Sequence, residues 1–96
     1  MFNRNEVNMK IKSGFVMRSV GGENVVVPVG ERAKEFKAMI TLNDTGAFLW
    51  NFYTQEHTLD EGVEAMCATY AVDKVVAKSA VSRFLRTLEE NQMTEK

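Results

Sequence analysis

The residues of this chain that could do chemistry are few and stand apart. His57 is the only histidine and lies in the short break Gln55-Glu56-His57. A general base or a metal centre needs partners, so a lone loop histidine reads as an exposed side chain. Cys67 is the only cysteine. It permits no disulfide within the chain, and beside Val63 and Tyr70 on a helical stripe it reads as a small buried apolar residue. Glu31, Glu35, Asp60 and Glu61 are carboxylates without a visible pairing, which is the pattern of a solvated surface. Gly21-Gly22 lacks the lysine and hydroxyl residue of a phosphate-binding loop and falls between two strand-like runs, not before a helix. No catalytic set, no metal site and no cofactor site can be assembled from these residues, and the expectation is a protein that is not an enzyme.

Two groups remain. Phe48, Trp50, Phe52 and Tyr53 form the densest aromatic cluster, and their helical spacing makes them core packing first and a peptide pocket second. Further on, Lys74, Lys78, Arg83 and Arg86 share one segment with Asp73, Glu89 and Glu90. That mixture suits a solvated helix face, a peptide contact or, in a helix-turn-helix arrangement, a phosphate contact. Twelve basic and thirteen acidic residues leave a net charge of −1, and the missing basic excess counts against a dedicated nucleic-acid binder. The polar start Met1-Phe2-Asn3-Arg4-Asn5-Glu6-Val7-Asn8 lacks the apolar stretch of a signal peptide, and no apolar run could span a bilayer. A cytoplasmic protein without a membrane partner is expected.

The 96 residues suffice for one domain. Residues 1–10 read as a flexible leader, with Met9 as a second candidate start, residues 11–92 as the domain and residues 93–96 as a frayed tail. Phe15–Val20 and Asn24–Val29 are strand-like, and Gly21-Gly22 joins them as a tight hairpin. Pro28 cannot donate to a ladder, so it belongs at an edge, a bulge or a strand end. Gly30–Phe36 reads as a polar connection. Lys37–Leu42 is a third strand, with Ala38, Ile40 and Leu42 on one face and Lys37, Met39 and Thr41 on the other. Asn43 caps a first helix. Thr58 and Glu61 form the capping box of a second, whose stripe is Leu59, Val63, Met66 and Tyr70. Asp73 caps the third and longest, with Val72 and Ala77 as a hydrophobic staple. Its core stripe is Ala77, Val81, Phe84 and Leu88, with Leu85 at the border, and Asn91 is suited to the left-handed position at its end. The fold class is α+β, a three-stranded antiparallel sheet followed by three helices.

A three-stranded sheet has two edges. The third strand carries no proline and a single charge, Lys37. At an edge beside the third helix it would border a groove able to take an extended peptide by strand addition.

The strings Gly14-Phe15-Val16-Met17-Arg18, Val25-Val26-Val27-Pro28-Val29-Gly30 and above all Met39-Ile40-Thr41-Leu42-Asn43-Asp44-Thr45-Gly46-Ala47-Phe48-Leu49-Trp50 resemble the PqqD family. Tyr70-Ala71-Val72-Asp73 and Val81–Leu88 add to the likeness, which covers roughly residues 9–92. Where the family's last helix often ends in glycine and aliphatic residues, this chain has Asn91-Gln92-Met93. The resemblance implies a winged-helix-like peptide chaperone or recognition element for ribosomally made, modified peptides. It implies a leader peptide bound along the third strand and third helix, and a partner radical S-adenosylmethionine or other peptide-modifying enzyme. On that reading the binding residues are Lys37, Ala38, Met39, Ile40, Thr41 and Leu42. Helical geometry adds Val76, Ala80, Arg83 and Thr87 as one flank of the long helix, with Arg83 facing an acidic peptide residue. The alternative is a winged-helix nucleic-acid binder, and an open strand edge also allows a homodimer.

Overall fold

The two glycines of the hairpin have φ of 58° (Gly21) and 83° (Gly22), a left-handed pair that matches the twist of the strands it joins. It connects β1 (Phe15–Val20) to β2 (Glu23–Pro28), with Val20 opposite Glu23 at the turn and Phe15 opposite Pro28 at the far end. Pro28 therefore closes a central strand, where its missing N–H costs the ladder least. β3 (Ile40–Leu42) pairs antiparallel with β2, Val26 opposite Ile40 and Asn24 opposite Leu42. The sheet order is β1-β2-β3, so β3 lies at an edge. The computed structural model describes residues 7–35 and 39–95; Lys37 and Ala38, the expected start of the third strand, lie outside them.

The register aligns Met17, Val26 and Ile40 across the three strands, and this row faces the helices. The cover consists of α2 (Asp44–Phe52), α3 (Leu59–Thr69) and α4 (Lys74–Glu90). Each begins where the sequence places it. Asn43 Oδ1 accepts the Gly46 amide at 2.8 Å, and Asp73 Oδ1 accepts that of Val76 at 2.9 Å. Thr58 and Glu61 exchange both bonds of a capping box. Leu49, Trp50, Tyr53, Val63, Met66, Ala77, Val81, Phe84 and Leu88 are buried together against Val26 and Phe15. Leu85, expected at the border of the α4 stripe, is also fully buried.

Four features differ from the sequence reading. The connection after β2 contains a one-turn helix, α1 (Arg32–Glu35), so the order is not strands and then helices throughout. That turn buries nothing; the Arg32 Nε bond to the Ser13 carbonyl at 3.1 Å holds it. The left-handed residue after α4 is Gln92 (φ 57°), not Asn91. Asn91 instead caps the helix and donates its side-chain amide to the Thr87 carbonyl, while the Gln92 and Met93 amides return to Glu89 and Leu88 in a Schellman closure. The tail is not frayed through its described part: Met93 and Thr94 are buried, and Ile11 and Thr94 form a β-bridge. Nor are residues 9 and 10 loose, since Met9 exchanges both backbone bonds with His57 and the Lys10 carbonyl accepts the Glu95 amide.

Candidate functional site

The edge strand ends at Leu42, and the next residue starts α2. This junction is tight. A Cβ on Gly46 would lie only 3.2 Å from the Leu42 Cβ and from Asn43 Oδ1, so the glycine brings the helix start against the strand. α4 runs past the same junction and leaves a groove of about 330 Å³. One side is Ile40, Thr41 and Leu42, the other Ala80, Arg83 and Thr87, and Leu49 and Phe84 line it with Asn43, Thr45 and Gly46. β2 occupies one edge of β3, and among the described residues no strand pairs with the other.

Six of the ten residues expected at the site thus meet around one cavity: Ile40, Thr41, Leu42, Ala80, Arg83 and Thr87. Met39 is 69% exposed and Val76 52% exposed, both outside its lining. Asn43, Thr45, Gly46, Leu49 and Phe84 were not foreseen as lining. The signal was available for the first three, because a helix capped directly at a strand end must present its first turn beside that edge.

Arg83 is the one ionisable side chain among the lining residues. It makes no ion pair among the described residues, and its Nη2 lies 3.4 Å from Ser79 Oγ. The Thr87 hydroxyl donates to the Arg83 carbonyl at 3.0 Å and is committed to the helix. The groove therefore offers apolar surface, backbone groups at a strand edge and a single guanidinium. Such a set can hold and orient a chain.

The other reactive side chains lie elsewhere. His57 is not an exposed loop residue: its ring stacks on Phe52 at 3.9 Å between centroids, and Nδ1 is 3.3 Å from Glu61 Oε1. The Thr58 amide, with help from His57, holds the Glu61 carboxyl below its usual range. Tyr53 is completely buried; burial, reinforced by the charge of Glu61, pushes its phenol well above the ordinary value, and its hydroxyl donates to the Thr58 carbonyl at 2.8 Å. Cys67 is half-buried against the core. Among the described residues no three His, Cys, Asp or Glu side chains come together as metal ligands, and no helix is long and apolar enough to cross a membrane.

An α+β domain that opens a strand edge onto an apolar groove belongs to a class built to bind. Residues 23–93 match the model of the family described as Coenzyme PQQ synthesis protein D (PqqD), and the chain belongs to that family. A search of curated proteins finds no match. Among solved structures the chain is similar to TbiB1 in complex with the TbiA(beta) leader peptide, at 24% identity and a TM-score of 0.68, over 90% of this chain and 94% of that one. At this identity the likeness shows a shared fold.

Proposed function

We propose that this protein is a non-catalytic peptide chaperone. It binds the leader of a ribosomally made precursor peptide in the groove between β3 and α4 and presents it to a separate modifying enzyme of the radical S-adenosylmethionine type. The observation that carries the reading is the open edge of β3 beside that groove. An extended peptide there pairs its backbone with β3 and sets alternate side chains against Leu49, Phe84 and Ala80. Membership of the PqqD family supports this reading, as does a leader peptide in the complex of the similarly folded TbiB1. The contacts to the peptide are those of Ile40, Thr41, Leu42, Ala80, Arg83 and Thr87, extended by Met39 and Val76 at the rim and by Lys37 and Ala38 before the strand. A cytoplasmic location fits a partner of this kind. The same edge can take a second copy at high concentration, in competition with peptide. The nucleic-acid alternative is weaker: the net charge is −1, and the cations of α4 give way to Glu89 and Glu90 on the same helix.

Hydrogen–deuterium exchange with and without the precursor peptide encoded beside the gene tests the reading. The amides of Ile40–Leu42 should gain protection when peptide is added. Protection confined to β1 or to α3 would overturn it.

A further inference from the structure

Behind the Asp73 cap, the order of charge along α4 runs against the helix dipole. Lys74, Lys78, Arg83 and Arg86 come first and Glu89 and Glu90 last, with no acid in the first turn and no base in the last. The helix dipole favours the reverse, so the dipole does not explain where these cations stand. Arg83 is the one on the groove wall. Its recorded partner is a neutral hydroxyl at 3.4 Å, which leaves most of the five donors of its guanidinium unused within the described chain. The contact with Ser79 also shows where the guanidinium lies, one turn back toward the start of α4. On the same flank Val76, at 52% exposure, stands at the rim outside the lining, and Ala80 between them is small and leaves room.

We propose that the groove selects peptides carrying a carboxylate two residues from an aliphatic side chain, with Arg83 binding the carboxylate and Val76 the aliphatic group. This rests on the peptide-binding reading of the groove. The spacing follows from the two geometries. Ser79, which marks the guanidinium, lies about 4.5 Å along the axis from Val76, at a rise of roughly 1.5 Å per residue. The Arg83 Cα lies about 10.5 Å along the axis, so the reach of its side chain spans the interval from roughly 4.5 to 10.5 Å. Side chains on one face of an extended strand repeat at about 6.6 Å, every second residue. A peptide strand along α4 therefore meets both groups with residues i and i+2 and turns the intervening side chain away. A planar guanidinium takes a carboxylate through two parallel bonds.

The test is selection of a random twelve-residue peptide library, displayed on phage, against the full chain. Enriched peptides should carry Asp or Glu two places from Val, Ile or Leu and should protect the Ile40–Leu42 amides. Arg83 is exposed, so its replacement leaves the fold intact. Arg83→Gln should weaken these peptides roughly tenfold while leaving their Asp→Asn or Glu→Gln counterparts unchanged. Selection against Arg83→Glu should move the preference to Lys or Arg at the same place. Peptides that protect β3 but lack the acid, carry it at another spacing, or bind parent and Arg83→Glu equally would overturn this proposal and leave the chaperone reading standing. A library yielding no peptide that protects β3 would overturn both.

Discussion

Gly62 sits inside α3 where alanine would ordinarily be the better helix former, by about 1 kcal/mol. Here its hydrogen faces the Tyr53 ring. A Cβ would run into the hydroxyl and stand 3.1 Å and 3.2 Å from two ring carbons. Tyr53 has no exposed surface and is held by its bond to Thr58, so it cannot swing aside. Overpacking of this kind costs about 1–3 kcal/mol, with a midpoint of about 2 kcal/mol that outweighs the propensity gain. Gly62→Ala should therefore lower stability by about 1 kcal/mol, and at most about 2 kcal/mol, in urea unfolding, where a propensity scale alone gives the opposite sign. Sequence shows the caps at this scale, because Asn43, Thr58, Glu61 and Asp73 act on amides three positions away. It does not show Gly62 against Tyr53 or His57 stacked on Phe52, because those contacts depend on how the loop between α2 and α3 folds back.

At the scale of elements the decisive one is β3. Thr41 is exposed, whereas Ile40 and Leu42 are half-buried toward the helices, as the alternation of the sequence requires. Thr41 pairs with Val25 across the ladder, while Met39 lies just outside the paired residues. Proline at Met39 should cost little stability and weaken peptide binding at least tenfold, because it removes a backbone donor at the docking edge. Thr41→Ala should bind nearly as well as the parent, since the strand acts through its backbone. Titration of folded variants, checked by circular dichroism, measures both, and a Met39→Pro protein that binds like the parent would exclude strand addition at that residue. The sequence made β3 legible through its period of two. It hid α1, which has no buried residue and so no apolar stripe to read. The groove itself was half legible. The α4 flank follows from helical spacing, but Leu49 and Phe84 join it only once three elements meet.

In the whole molecule, the least legible feature is how the two ends of the described chain are fixed. Residues 9–12 run between the turn after α2 and the segment after α4. Ile11 donates to the Tyr53 carbonyl, Lys12 to that of Met93, and Glu95 to that of Lys10. Nothing in a polar Thr-Glu tail signals this, because the partners lie more than eighty residues away in sequence. The two ends therefore leave the fold at one place, on adjacent antiparallel segments. A domain with that property behaves as a cassette: a host protein can carry it in a surface loop without being pulled apart, because the entry and exit points of the insert are neighbours. The same closeness makes the order of the chain negotiable. A circular permutant that links Glu95 to Asn8 through a few glycines and opens the chain between Gly21 and Gly22, both exposed at the hairpin tip, should keep the circular dichroism spectrum and peptide affinity of the parent. Loss of folding in that permutant, with the linker lengthened as a control, would mean that the hairpin connection, and not the joined ends, holds the domain together.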